Sequence, residues 1–213
     1  MEEKRIQFEY NARYFQYGEL NENTKNLLFV IHGYGQQAKY FLRKFESLNQ
    51  QDNCIIAPEG LSRFYLKGYS GRVGATWMTK EDRLSDIDNY ITYLNSIYET
   101  LKPNLPENIT ISVIGFSQGS ATASRWAASL PFDFNQLILW AGVFPPDMDF
   151  DKASTKFVTK KIFYVYGTED PFLTKERLEE MKLLSKKLKV TPKIIKFEGG
   201  HEIDKEVLNQ LFL

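Results

Sequence analysis

The alternation of short apolar runs with longer helical segments is the feature that most limits what this chain can fold into. Six runs rich in β-branched and aromatic residues begin at Leu27, Cys54, Ile109, Leu137, Ile162 and Lys193. Most are apolar at nearly every position, as strands covered on both faces must be. Segments with the period of a helix separate them. This order predicts an α/β fold with a mostly parallel central sheet and helices on both faces.

Four segments have the spacing of amphipathic helices. The clearest follows Thr79, with apolar residues three and four positions apart at Leu84, Ile87, Ile91, Leu94, Tyr98 and Leu101. A second begins near Thr174, and shorter ones span 41–48 and 207–212. Ahead of the first strand, residues 6–10 and 12–18 alternate and predict an antiparallel hairpin at the sheet edge. The stretches 58–79 and 143–160 look irregular, and we expect functional loops there.

Length and charge exclude several classes of protein. With 213 residues and no repeat or linker, the chain is expected to form one domain over residues 1–213. Its 27 basic and 27 acidic side chains balance, which argues against a nucleic-acid partner. No run of apolar residues is long enough for a membrane-spanning helix, and the N-terminus lacks the pattern of a signal peptide. We therefore expect a cytoplasmic protein.

Soft and imidazole ligands are scarce. The chain has one cysteine, Cys54, and two histidines, His32 and His201. One cysteine cannot form an internal disulfide, and these three residues are too few for a Cys/His zinc site. The sequence predicts no metal and no cofactor, and it predicts that Cys54 is a small core residue.

A G-x-S-x-G pattern, Gly-Phe-Ser-Gln-Gly, occupies residues 115–119. It follows the strand that begins at Ile109 and precedes a helical run rich in small residues. In that setting the chain turns sharply from strand to helix, which strains Ser117 and exposes its hydroxyl, while the glycines allow a close approach. Ser117 is therefore the candidate nucleophile. The alternative is a serine in an ordinary strand–helix turn.

A serine hydroxyl needs a general base to take its proton. In folds that carry this motif, the base follows the nucleophile and the acid in chain order, which selects His201 and leaves His32 upstream. His201 comes after two glycines at the end of the last strand, on a loop that can bring its imidazole over Ser117. We expect His32 to have a structural task, bonding backbone groups beneath its own turn.

The third catalytic member is expected to be a carboxylate that orients the imidazole. Asp170 lies where the strand from Ile162 ends, and Glu169 is the rival beside it. Adjacent residues on a turn point in different directions, and Pro171 fixes the chain after Asp170, which favours Asp170. Asp204 is so close to His201 in sequence that we expect it to cap the final helix.

Backbone amides are expected to bind the oxyanion that forms when Ser117 attacks a carbonyl, each such donor being worth about 3 to 4 kcal/mol. One is the amide of Gln118, at a helix N-terminus. The other comes from the turn at His32, where the flanking glycines free the amide of Tyr34 to point inward.

These motifs together resemble the α/β-hydrolase superfamily, and in particular the phospholipase/carboxylesterase group that includes the acyl-protein thioesterases. The match runs from Leu27 to about His201 through HGYG, GFSQG, GTEDP and EGGH. The resemblance implies a serine hydrolase whose triad is Ser117, Asp170 and His201, with the amides of Tyr34 and Gln118 as the oxyanion hole.

The chain departs from that group at two places. Gln36 follows the HGYG turn where an aspartate is common, and Trp77-Met78 stands where many relatives have a Trp-Phe-Asp segment. Both positions lie in the expected substrate pocket. The resemblance therefore says less about the substrate of this chain than about its mechanism.

The stretch between Gly142 and Asp170 is too short for a large cap domain, so the site is expected to be open. Aromatic residues concentrate in the loop after Pro58, and three of them are candidates for a substrate pocket or for plain packing: Tyr65, Tyr69 and Trp77. Basic residues interleave with them and would favour an acidic substrate group: Arg63, Lys67 and Arg72.

The sequence thus predicts a serine carboxylesterase that cleaves small to medium acyl esters through an acyl-enzyme, with a small-molecule ester as its partner. An acyl thioesterase or lysophospholipase with the same triad is an alternative. A second alternative is a non-catalytic homologue that only binds a ligand in the pocket. Oligomeric state cannot be read from this pattern.

Overall fold

The computed structural model describes residues 1–50 and 52–213. Nine strands are present among these residues: β1 Tyr14–Tyr17, β2 Asn26–Ile31, β3 Asn53–Pro58, β4 Ser62–Tyr65, β5 Val73–Thr76, β6 Thr110–Phe116, β7 Gln136–Trp140, β8 Lys161–Gly167 and β9 Lys193–Phe197. Seven of them form the central sheet in the order β1-β3-β2-β6-β7-β8-β9. The other two, β4 and β5, pair as a separate antiparallel hairpin.

Six α-helices surround the sheet in the described part of the chain: α1 Ala38–Leu42, α2 Arg83–Leu101, α3 Gln118–Ser129, α4 Phe150–Phe157, α5 Lys175–Lys187 and α6 Lys205–Phe212. A 3-10 helix over Arg43–Leu48 continues α1. No helix among the described residues is long and apolar enough to cross a membrane. Only α4 and β8 lie between Gly142 and Asp170, so there is no large cap.

The predicted α/β fold is confirmed, because all six strands read from the sequence are present and pair in parallel. Alternate residues of β2 face opposite sides of the sheet, as the two-residue period of a strand requires. Leu27 and Phe29 belong to the core under α2 to α5. Leu28 and Val30 belong to the core under α1 and α6. Cys54 is buried as predicted.

The predicted N-terminal hairpin is wrong. Only β1 forms, and it pairs antiparallel with β3. Ile6 and Phe8 are exposed, so the apolar side of residues 6–10 does not pack against the sheet. That segment turns towards other elements instead: Tyr10 donates to the carbonyl of Leu61, and Arg5 pairs with Asp82 at the start of α2.

Two stretches that look irregular in the sequence contain regular elements. The first, 58–79, holds the β4–β5 hairpin, and the second, 143–160, holds α4. Helix α4 is capped by Asp149, whose side chain accepts a hydrogen bond from the amide of Lys152 at 3.0 Å. Helix α2 begins at Arg83, one residue before the first apolar residue of its pattern. Leu84 is nevertheless exposed, and the buried residues include Tyr90 and Ile97, which the pattern did not contain.

Helix α3 lies unusually close to the sheet at Gly119. A Cβ placed on Gly119 would lie 2.2 Å from the carbonyl oxygen of Ile31, the last residue of β2. Because the obstacle is backbone, no side-chain rotation relieves it. The absence of a side chain at this position therefore sets the distance between α3 and β2.

We predict that Gly119→Ala destabilises the fold, since α3 must move away from the sheet. Overpacking of this kind typically costs about 1 to 3 kcal/mol, and a backbone obstacle places the variant at the upper end. Urea unfolding measures the change in the free energy of unfolding. The matched control is Gly200→Ala, where a Cβ meets nothing within 4 Å. Equal stability of the two variants would contradict the prediction.

Candidate active site

The predicted site residues meet at one edge of the sheet, where the parallel strands end. Ser117 follows β6, and the turn at His32 follows its neighbour β2. Asp170 follows β8, and His201 follows β9. The carboxyl ends of parallel strands are where α/β folds gather their functional residues, because every crossover returns to the same edge.

Ser117 forms the sharp turn between β6 and α3. Its backbone has φ 55° and ψ −118°, a region that side-chain-bearing residues rarely adopt. The turn is fixed by its amide, which donates to the carbonyl of Trp140 at 2.8 Å. A Cβ on Gly115 would lie 2.3 Å from the carbonyl oxygen of Gly119, so β6 and α3 approach this closely only because position 115 has no side chain. The strain predicted from the motif is thus present.

Asp170 and His201 form a hydrogen-bonded pair. The Nδ1 of His201 lies 2.7 Å from the Oδ2 of Asp170, whose side chain is fully buried. The other carboxylate oxygen accepts from the amide of Phe172 at 2.9 Å. Glu169 is exposed and takes no part, so of the two predicted rivals only Asp170 reaches the imidazole. Asp204 caps α6 as expected, accepting from the amide of Val207 at 2.8 Å.

The imidazole of His201 lies between two phenyl rings. The Phe116 ring is 4.9 Å away, centroid to centroid, and the Phe172 ring is 4.8 Å away. Phe116 immediately precedes Ser117, so this packing places the imidazole beside the nucleophile turn. Sequence reasoning missed Phe172, although its position two residues after Asp170 is a signal that could have found it.

Two backbone amides at the turns have no internal partner. In the turn after β2, the amides of Gly33, Gly35 and Gln36 all donate hydrogen bonds within the protein, at 2.8, 2.9 and 3.3 Å. Among the described residues, neither the Tyr34 amide nor that of Gln118, the first residue of α3, makes such a bond. A positive φ of 72° at Gly35 allows the chain to leave Tyr34 in this position.

The carboxamide of Gln118 ties the nucleophile turn to residues 76–78. Its Oε1 accepts from the amide of Trp77 at 3.2 Å, and its Nε2 donates to the carbonyl of Met78 at 2.9 Å. The indole of Trp77 then donates to the carbonyl of His32 at 2.8 Å. A continuous set of hydrogen bonds therefore connects the two turns that carry the unpartnered amides.

Trp77 is not a pocket residue, which corrects that expectation. It is 2% exposed, and its ring packs against His32 at 5.1 Å and Tyr90 at 6.1 Å. Its burial follows from the hydrogen bond to His32, which draws the indole under the turn. Tyr69 is almost fully exposed and forms no pocket wall, and Tyr65 is half-exposed.

Other apolar side chains lie beside the turn after β2. The Phe64 ring packs on the Tyr34 ring with 5.2 Å between centroids. Leu66 approaches Gly35, with its Cδ2 3.2 Å from the position of a Cβ there. Phe64 is one of the aromatic residues of the segment after Pro58. It faces Tyr34 because it lies in β4, a strand that the sequence pattern did not predict.

His32 is buried beneath the turn, as predicted. Its Nδ1 lies 2.7 Å from the carbonyl of Gly33, so Nδ1 carries the proton, and Nε2 accepts from the amide of Gly60 at 3.0 Å. Burial lowers the pKa of His32 from 6.5 to about 4. Both nitrogens are engaged with backbone, which leaves His201 as the histidine that faces Ser117's turn.

Gln36 holds the first turn closed. Its Oε1 accepts from the amide of Gly33, and its backbone bridges to Ala75 of β5 in antiparallel fashion. This side chain acts here as a neutral acceptor at the position where the resembling group commonly has an aspartate.

We predict that His32 makes the fold weaker in acid. The unfolded chain binds a proton at His32 near pH 6.5, whereas the folded protein resists it down to about pH 4. The unfolded state therefore holds more protons between these values, and stability falls as pH drops from 6.5 towards 4, by up to about 3 kcal/mol. Urea unfolding from pH 4.5 to 7 measures the slope.

His32→Gln is expected to flatten that slope, because the amide cannot titrate. Nitrogen NMR of the folded protein gives an independent readout. A His32 imidazolium already formed at pH 6 would contradict the prediction.

Comparison with known proteins places this geometry in a family. The model of the FSH1 serine hydrolase family matches residues 21–206. No curated protein matches the chain. Among solved structures, acyl-protein thioesterase 2 of Zea mays superposes with a TM-score of 0.72 at 17% identity, over 94% of this chain and 96% of that one.

Two further structures share the fold. A phospholipase/carboxylesterase from Dyadobacter fermentans has a TM-score of 0.68 at 15% identity, covering 97% of each chain. A carboxylesterase of Bacillus cereus has a TM-score of 0.64 at 15% identity, over 94% of this chain and 91% of that one. These likenesses confirm the α/β-hydrolase fold that the motifs resemble. The family match covers most of the chain, which therefore belongs to the FSH1 serine hydrolases.

Proposed function

We propose that the protein is a carboxylesterase that cleaves small to medium acyl esters, with Ser117 as nucleophile, His201 as general base and Asp170 as the residue that orients it. One observation carries the proposal: a strained serine turn lies beside a histidine whose Nδ1 is held by a buried carboxylate at 2.7 Å. This arrangement has the parts of nucleophilic acyl transfer.

In the first half of the reaction, Nε2 of His201 takes the proton of the Ser117 hydroxyl as the oxygen attacks the ester carbonyl carbon. The bond from Nδ1 to Asp170 keeps Nε2 unprotonated beforehand and stabilises the imidazolium afterwards. The tetrahedral intermediate then collapses, and the imidazolium gives its proton to the leaving alcohol. Ser117 is left acylated.

In the second half, Nε2 takes a proton from water as the water oxygen attacks the acyl carbon. The second tetrahedral intermediate then collapses, the acid leaves, and the imidazolium returns its proton to the Ser117 oxygen. Both tetrahedral intermediates carry a negative oxygen. The amides of Tyr34 and Gln118 are the donors for it, and they need no reorganisation because nothing in the described chain competes for them.

The side chains around Ser117 leave the site open and favour a short or medium acyl group. Phe172 on the imidazole is 68% exposed, and Tyr34 is 60% exposed with Phe64 behind it. These rings offer an apolar surface on either side of the nucleophile without enclosing it. A short or medium acyl chain fits this open surface, which no cap extends.

Thioester hydrolysis is a second candidate, since the attack on the carbonyl is identical and the open site admits a bulky leaving group. The name of the Zea mays neighbour, an acyl-protein thioesterase, is in keeping with it. A series of esters and thioesters with matched acyl chains distinguishes the two by their kcat/KM values.

The triad is tested with p-nitrophenyl butyrate. Ser117→Ala and His201→Ala are each expected to lower kcat by at least about a thousandfold, since triad members act as a unit. Asp170→Asn is expected to lower kcat about as much, because the amide favours the wrong imidazole tautomer. The matched control is Glu169→Gln, the exposed neighbour, which is expected to keep wild-type kcat.

Labelling by a fluorophosphonate separates an enzyme from a binding protein that keeps only the pocket. An activated Ser117 becomes covalently modified, and Ser117→Ala does not. Absence of both labelling and ester turnover in the wild-type protein would contradict the proposed function.

We predict that the Gln118 side chain positions the oxyanion amides. Gln118→Ala removes the bonds to Trp77 and Met78 and frees the two turns to move apart. Loss of donor alignment is expected to lower kcat about tenfold with little change in KM, a fraction of the 100- to 1,000-fold effect of deleting a donor. Steady-state kinetics on p-nitrophenyl butyrate measure the split. An increase in KM alone would contradict it.

A further inference from the structure

Positive charge is concentrated beside the oxyanion turn, although the chain as a whole is neutral. Residues 33–45 contain three Lys and Arg, residues 60–80 contain four, and neither segment has an Asp or Glu. The first segment runs from the turn through α1, and the second contains the β4–β5 hairpin. Carboxylates flank these segments at Glu46, Glu59 and Glu81, so the excess of positive charge is confined to the segments themselves.

A cavity of about 660 Å³ lies between these two segments. Its volume is within the range of sites for small ligands. The polar part of its wall comes from Gln36, Gln37, Tyr40, Lys44 and Arg72. Two cations from opposite sides thus line a space that is also supplied with amide and phenol groups.

The two cations are not neutralised. Within residues 1–50 and 52–213, no carboxylate lies within ion-pairing distance of Lys44 or Arg72. The buried carboxylate of Glu59 is paired with Arg13 at 2.8 Å and with Arg63 at 3.8 Å. Among the described residues, the exposed Glu46, two positions after Lys44, forms no ion pair with it. Because Arg63 is engaged, Lys67 and Arg72 remain of the three cations that the sequence offered for an acidic group, and Arg72 is the one that lines the cavity.

The cavity adjoins the nucleophile. A Cβ on Gly33 would lie 3.1 Å from the Cβ of Ser117 and 3.3 Å from the Oε1 of Gln36, so these two side chains share one small volume. On the far side, Phe41 lines the cavity and packs on Phe116 with 5.9 Å between centroids. Ser117 and His201 are not among the residues that line the cavity, so a substrate attacked at Ser117 would reach it past Gln36.

We propose that this cavity is a substrate subsite for a carboxylate, carried on either the acyl or the alcohol part of the ester. The proposal rests on the esterase function proposed above. Arg72 offers a planar fork that fits a carboxylate, and Lys44 adds a mobile point charge from the opposite wall. Because both cations are exposed, their effect is moderate and sensitive to salt.

The experiment compares matched esters that differ only in charge. For the acyl arm, the mono-p-nitrophenyl ester of glutaric acid is compared with its neutral methyl ester. For the alcohol arm, the butyrate ester of 4-hydroxyphenylacetate is compared with its methyl ester. The measured quantity is the ratio of kcat/KM for the anionic and the neutral member of each pair.

We expect the wild-type ratio to exceed one in at least one arm at low salt and to fall towards one at 0.5 M NaCl. The double variant Lys44→Gln/Arg72→Gln is expected to lower that ratio by about tenfold, as two partly exposed charge contacts allow. Its kcat/KM for the neutral ester stays within twofold. The single variants, each expected to lower the ratio about threefold, repeat the test if the double variant unfolds.

The matched control is Lys182→Gln/Lys186→Gln on α5, which removes the same net charge from exposed positions outside the cavity. A ratio that is near one in both arms, or that falls equally in the control, overturns the subsite while leaving the esterase intact. Failure of the wild-type protein to hydrolyse either member of either pair would instead overturn the esterase function.

Discussion

The close approach of α3 to the sheet is the constraint on which the site depends. Gly119 lets α3 lie against the end of β2, and Gly115 lets the chain enter the helix without moving the strand. Ser117, between them, has a φ of 55°, outside the ordinary helical and extended regions. Since β2 and β6 are neighbours in the sheet, the same contact brings the turn after β2 alongside the serine. One packing contact therefore positions both the Ser117 turn and the neighbouring turn, whose Tyr34 amide has no partner within the described residues.

Hydrogen bonds then fix what packing alone leaves loose. The two unpartnered amides follow different strands, β2 and β6, and they keep their spacing because hydrogen bonds join Gln118 to Trp77 and Trp77 to His32. A neutral, buried His32 suits this role, since it can both donate to and accept from backbone. No buried side-chain polar atom lacks a partner among the described residues, so the network is complete enough to resist displacement. The two histidines of the chain therefore have different partners: His32 bonds to backbone groups, and His201 bonds to Asp170.

Much of this could be predicted from the sequence, and the parts that could not have physical causes. Strands such as β2 can be predicted from the sequence because a strand buried on both faces requires a continuous apolar run. The pairing of Asp170 with His201 follows from chain order. Strand β4 has no buried residue and helix α4 buries three of its eight, so the patterns of these two elements are weak. Trp77 was misplaced because the hydrogen bond that buries it involves a backbone carbonyl, which leaves no trace in composition.

The net charge of the chain likewise does not reveal how its charges are distributed. A neutral total argues against a polyanionic partner but does not say where the cations lie. Lys44 and Arg72 face one cavity because the turn after β2 is stitched to β5: the amide of Gly35 donates to the carbonyl of Ala75, and the amide of Ala75 donates to the carbonyl of Gln36, each at 2.9 Å. These bonds also leave the Tyr34 amide pointing away from internal acceptors. The bonds that fix the turn beside Tyr34 therefore also join the two segments that contribute Lys44 and Arg72 to the cavity wall.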